Sequence, residues 1–133
     1  MVVYVFPDPE AEAKAYLTSL AATHPAGTTY STSIPDSALT HPHVQIAWDG
    51  TPSDESNREL PTMRFTVWTP KGQRTAGKNL ASLVRAQMLD FASATVWRTT
   101  RGTGRLPGID SDTGLPFVTF TVTTETRPAA VSS

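Results

Sequence analysis

Apolar side chains along this chain follow two periods that alternate from segment to segment. Val44, Ile46 and Trp48 alternate with Gln45 and Ala47, and Met63, Phe65 and Val67 alternate with Arg64, Thr66 and Trp68. Near the end, Val118, Phe120 and Val122 alternate with Thr119, Thr121 and Thr123. Period-two patterning of this kind predicts strands with one buried face. Asp49-Gly50 closes the first of these strands. Thr51 to Glu59, built from Pro, Ser, Asp, Glu, Asn and Arg, reads as a long, mobile hairpin loop before the returning strand. Thr28 to Ile34, rich in Thr and Tyr and stopped by Pro35, reads as a further strand, as does Ser93 to Thr100. Arg101 to Gly114 is rich in turn-forming residues.

Helical spacing appears twice. Asp8 is a good N-cap, Pro9 suits the first helical position, and Glu10 and Glu12 complement the positive end of the dipole. Ala13, Tyr16, Leu17, Leu20 and Ala21 form the apolar stripe of this helix, which Pro25 and Gly27 end. Ala76, Leu80, Leu83, Val84, Met88 and Phe91 form one face of a second helix expected over Thr75 to Phe91, with Thr75 as its cap. The elements predict an α+β fold: a mainly antiparallel sheet of four to five strands with two helices packed on one face. Residues 1–127 are expected to form a single domain, and 128–133 a disordered tail.

Composition narrows the function classes. At 133 residues the chain can bury roughly two-thirds of its unfolded surface around one core. A net charge of −1 creates no global field for nucleic acid or an anionic membrane, which leaves only local patches. The absence of cysteine excludes disulfides, thiolate metal sites and a cysteine nucleophile. The apolar opening Met1 to Phe6 stops at Pro7-Asp8, too short for a signal peptide or a membrane span. A soluble protein that remains in the cell making it is the simplest expectation, with no membrane partner.

Several motifs carry possible chemistry. Gly72, Gly77 and Lys78 have the spacing of a phosphate-binding loop between a strand and a helix, but Asn79 stands where a magnesium-ligating hydroxyl belongs. A small nucleotide-binding enzyme is one reading; a turn at Pro70-Lys71-Gly72 followed by an ordinary helix is the other. His24, His41 and His43 lack a carboxylate at a defined spacing, so surface or turn histidines are expected and no metal site is assigned. Trp97, Arg98, Arg101 and Arg105 around Gly102 and Gly104 pair an aromatic with cations that can grip a phosphate backbone, against the alternative of a solvated loop. Asp110 and Asp112 resemble a calcium loop without its closing glutamate, so a turn is expected. No Gly-x-Ser-x-Gly elbow is present. No catalytic residue and no cofactor is assigned, and the chain reads as a non-enzyme.

The succession of elements resembles the tail terminator family of long-tailed bacteriophages. The resemblance runs over roughly residues 4 to 127: Phe6-Pro7-Asp8 before an Ala-rich helix, Ile34-Pro35, Val44 to Gly50, Phe65 to Trp68, Ala76 to Ala86, Leu106 to Asp110, Thr113 to Pro116 and Phe120 to Val122. One Gly stands after the second strand where relatives often have a pair. The resemblance implies a homohexameric ring that caps the head-proximal end of the tail tube, stops addition of major tail protein and presents a surface for the head-completion connector, with DNA passing through its channel. It also implies assembly in the host cytoplasm and residence at the tail–neck junction of the virion. A head–tail connector or stopper of the same neck region is the sibling alternative. A ring needs exposed edges and loops, which makes Trp48, Asp54, Glu55, Arg58 and Glu59 the candidate subunit or partner interface, and Arg98 and Arg101 the candidate channel-lining residues.

Overall fold

The computed structural model describes residues 2–51, 54–55 and 58–132, with the backbone alone for Asp54, Glu55 and Ser132. In chain order its elements are β1 (Val2–Val5), α1 (Pro9–Ser19), a 3-10 turn (Ala21–Thr23), β2 (Thr29–Ser31), β3 (His43–Trp48), β4 (Asp54–Glu55) and β5 (Arg58–Glu59). There follow β6 (Thr62–Trp68), α2 (Arg74–Leu89), β7 (Val96–Arg101), β8 (Leu106–Ile109), β9 (Pro116–Thr126) and β10 (Ala129–Ser132).

The alternating strands pair as their patterns require. β3, β6 and β9 are adjacent and antiparallel, and their register stacks Val44 on Val67 and Val118, Ile46 on Phe65 and Phe120, and Met63 on Val122. Because the side-chain period is two, this register turns all of these residues to one face. Both helices pack there. α1 lies over β2 and β3 and contributes Ala13 and Leu17; α2 lies over β6, β9 and β7 and contributes Leu80, Ala81, Val84 and Met88. The Phe65 and Phe120 rings stack at 5.3 Å in the middle of this core. Tyr16 stacks on Phe91 at 4.4 Å and donates its hydroxyl proton to the Gln87 carbonyl at 2.9 Å, which fastens one helix to the other. The α+β class and the placing of both helices on one face agree with the sequence pattern.

The sheet is larger than the four to five strands expected. Among the described residues the main sheet has eight strands, with β2 at one margin and with β7 and β8 end to end along the outer edge of β9. β2 is only three residues long and runs parallel to β3, because the irregular stretch 32–42 carries the chain back before β3 begins. Part of the loop 51–59 folds into the short pair β4–β5, and part of the turn-rich stretch 101–114 becomes β8. Pro107 and Gly108 conceal that strand in the sequence; it occupies an edge, where a missing N–H is tolerated.

The tail is not the disordered segment expected from its composition. β10 pairs with β1 from Val2↔Ser132 to Val5↔Ala129, forming a two-stranded ribbon separate from the main sheet. The strand-favouring run Val2-Val3-Tyr4-Val5, β-branched but for its aromatic Tyr4, gives the tail a partner that is distant in sequence. α2 begins at Arg74 with Gln73 as a cap that makes no side-chain hydrogen bond, so Thr75 lies inside the first turn instead of capping it.

Truncating Phe120 to Ala should destabilise the fold by about 3–5 kcal/mol, the range for removing a fully buried aromatic ring. Urea denaturation followed by tryptophan fluorescence measures it.

Candidate interaction surfaces

The glycines of the Gly72–Lys78 segment serve the turn from β6 into α2. Gly72 adopts φ +81°, and the Gln73 N–H donates to the Pro70 carbonyl at 3.1 Å, which is the tight turn of the plainer reading. Gly77 sits inside α2, where an added Cβ would come within 2.9 Å of Thr69 Oγ1; its role is close packing. β6 is antiparallel to both of its main-sheet neighbours, unlike the strand of a parallel nucleotide-binding core.

Each histidine has partners of its own. His24 is bonded through Nδ1 to the Tyr30 hydroxyl and through Nε2 to Gln87 Oε1 at 2.7 Å, bridging β2 and α2. His43 Nδ1 meets Thr29 Oγ1 at 2.6 Å, while its Nε2 lies 3.1 Å from Ser31 Oγ and 3.0 Å from the Ser33 carbonyl. Burial pushes the His43 pKa down, against the Ser33 carbonyl, which favours the protonated ring. His41 stays exposed beside Thr40. Asp110 accepts from the Thr113 N–H at 2.9 Å and from its hydroxyl at 2.8 Å, and Gly114 at φ +73° completes the turn expected there. Those bonds hold the Asp110 carboxyl below its ordinary range.

Two of the candidate interface and channel residues meet on a partner that the sequence did not single out. Glu125, buried on β9, receives Arg58 Nη1 from β5 at 2.8 Å and Arg98 Nε from β7 at 2.6 Å. The two arginines hold the Glu125 carboxyl below the usual glutamate range. Glu125 follows Thr123-Thr124 in a polar run, with no local signal that it turns inward to both flanking strands. Trp48 stands exposed at the end of β3, Glu59 is half-buried, and Arg101 is exposed at the end of β7. The side chains of Asp54 and Glu55 lie outside the described residues.

Large apolar side chains outside the core concentrate at margins. Val2, Val3, Tyr4, Val5 and Val131 are all exposed on the β1–β10 ribbon, Tyr4 at 69%. Leu106 and Ile109 are exposed on β8, at 54% and 57%. A two-stranded ribbon with no covered face is marginal by itself in water, and exposed apolar patches mark sites of contact. Charge is segregated as well. The first turn of α1 carries Glu10 and Glu12 after Asp8, whereas α2 carries Arg74, Lys78 and Arg85 and no acidic residue. The cation spacing along α2 was visible in the sequence; its position beside β8 was not. Among the described residues, no helix is long and apolar enough to cross a membrane.

The comparisons with known proteins reach the fold alone. No protein-family model matches the chain, and no curated protein matches it in sequence. The fold recurs in a chain of the virion of a native gene transfer agent particle, with a TM-score of 0.69 and 13% identity over 90% of this chain and 94% of that one. At that identity the likeness is one of fold.

Two outcomes test the titrating groups. Because the folded-state pKa of Glu125 is depressed, its contribution to stability is complete above about pH 4.5 and is lost as pH falls below it; Glu125→Gln should remove that part of the acid limb. His43 is also depressed, so stability should fall as pH drops below 6.5, where the unfolded chain takes up a proton that the folded one resists. Thermal melts of wild type, Glu125→Gln and His43→Gln across pH 3–8 separate the two windows.

Proposed function

We propose that this chain is a structural protein of a phage-like virion, a tail terminator that acts as a homohexameric ring on the head-proximal end of the tail tube. The ring ends addition of the major tail protein, offers its other face to the head-completion connector and leaves a channel through which DNA passes. It assembles in the host cytoplasm and remains at the tail–neck junction. The observation that carries the reading is the combination of a fold shared with a chain of a gene transfer agent virion and apolar surface gathered on margins. Edges and ribbons suit protein neighbours, which can extend a sheet or cover a face.

Within this reading the ring acts through contacts, without a catalytic step. Trp48 and Glu59, with Asp54, Glu55 and Arg58, belong to the end of the sheet proposed to meet neighbours. Arg98 and Arg101 line the channel from opposite faces of the end of β7, as their pairing with Glu125 and Val122 requires, and few fixed cations there let DNA slide, since each phosphate contact would add salt-dependent affinity. Arg98 does so while holding Glu125, leaving Arg101 the freer of the pair.

Sedimentation velocity at high protein concentration, together with electron microscopy of tail tubes mixed with the protein, tests the proposal. Six-membered rings seated at one end of each tube are expected. Monomers alone at every concentration, with tubes left uncapped, would contradict it. Binding at the head connector without tube capping would instead favour the neck-connector sibling. Micromolar binding of ATP with magnesium, abolished by Lys78→Ala, would favour the nucleotide-binding reading.

A further inference from the structure

We propose that copies of this chain join head to tail through two clefts of opposite charge at opposite margins of the main sheet. The inference rests on the ring reading and specifies the interface that closes it. The first cleft, about 310 Å³, lies between α2 and β8 and is lined by Lys78, Arg105, Pro107 and Val118. Arg74, one helical turn before Lys78, lines the crevice that adjoins it. Arg105 is bonded to Ser82 of α2, which fixes its guanidinium beside the helix. Leu106 and Ile109 stand exposed on the same strand, and among the described residues β8 pairs with β9 alone.

The second cleft, about 210 Å³, lies between the N-terminal turn of α1 and the end of β2. Asp8 and Glu10 line it with one cation, Lys14, and with Ser31 and Thr32. Asp8 accepts from the Glu10 N–H at 3.0 Å, which holds its side chain at the helix end. Among the described residues β2 also has a single partner strand, β3. The strand order places β2 at one margin of the sheet and β8 at the other, and both helices share one face. One molecule therefore carries an acidic cleft and a basic cleft at opposite ends of the same layer.

That complementarity selects a second copy as the occupant. A cationic stripe alone would suit any polyanion, but its match is built into the other margin of the same chain, whose net charge is −1. Joining unlike surfaces is a heterologous contact, which closes into a ring when the rotation per step divides the circle. Single exposed ion pairs contribute little; a set of them steers encounter, fixes register and weakens as salt screens it. The apolar side chains of β8 supply area that salt does not screen.

Charge reversal tests the interface in the full chain. Arg74→Glu/Lys78→Glu puts acids into the first turns of α2, where they favour the helix. Asp8→Asn/Glu10→Lys keeps a capping side chain on α1. Circular dichroism should show both variants folded. In sedimentation, each variant alone should assemble on the order of a hundredfold more weakly than wild type, because like charges then face one another. An equimolar mixture should restore rings with alternating subunits. Variants that assemble as wild type does would overturn this interface and leave the ring reading standing. Wild-type protein that never assembles, alone or on tail tubes, would overturn both. Unchanged assembly with lost binding to a DNA duplex would assign the α2 cations to nucleic acid, against the proposal.

Discussion

The register of three strands governs the rest of this molecule. With Val44, Val67 and Val118 aligned, and Ile46, Phe65 and Phe120 beside them, β3, β6 and β9 present one continuous apolar face. A slip of a single residue would turn that face to water and the threonine-rich face inward. Both helices dock because this face exists, and Tyr16, Gln87 and His24 then fasten them to each other and to β2. The opposite face stays polar, with Thr66 bonded to Thr119 and Trp68 Nε1 donating to Gln45 Oε1 across neighbouring strands.

Covering one face of the sheet leaves its margins open, and the margins carry what the core does not absorb. The detached β1–β10 ribbon and β8 hold the exposed valines, Leu106 and Ile109. Helix placement then sorts charge by position: the acidic start of α1 lies over the β2 margin, and the basic start of α2 beside β8. Within the sheet, Glu125 ties β5 and β7 to the end of β9 through two arginines, so part of the cationic surface serves the fold itself.

The sequence made the core legible because its signals are local. Period-two alternation at Met63-Phe65-Val67 and Val118-Phe120-Val122, and helical spacing from Leu80 to Met88, each need only a short window. What escaped depends on partners distant in the chain. β10 forms only because Val2–Val5 lies beside it, and β8 is an edge strand hidden behind Pro107 and Gly108. The parallel pairing of β2 follows from the path of residues 32–42, for which no periodicity exists. Among candidate site residues, Arg58 and Arg98 stood out as charges, but their shared partner Glu125 emerged only when three strands came together. The near phosphate-binding loop misleads for a related reason: glycine at Gly72 and Gly77 answers a turn and a close approach to Thr69.

An account in which open margins exist to meet other copies stands or falls on stoichiometry. Native mass spectrometry of the full-length protein, recorded at low salt and rising concentration, reads it directly. A closed complex of six chains, with no growth beyond six, is the expected result. A chain that remains a monomer throughout and also leaves added tail tubes uncapped, or that grows into open-ended polymers of indefinite size, would contradict it.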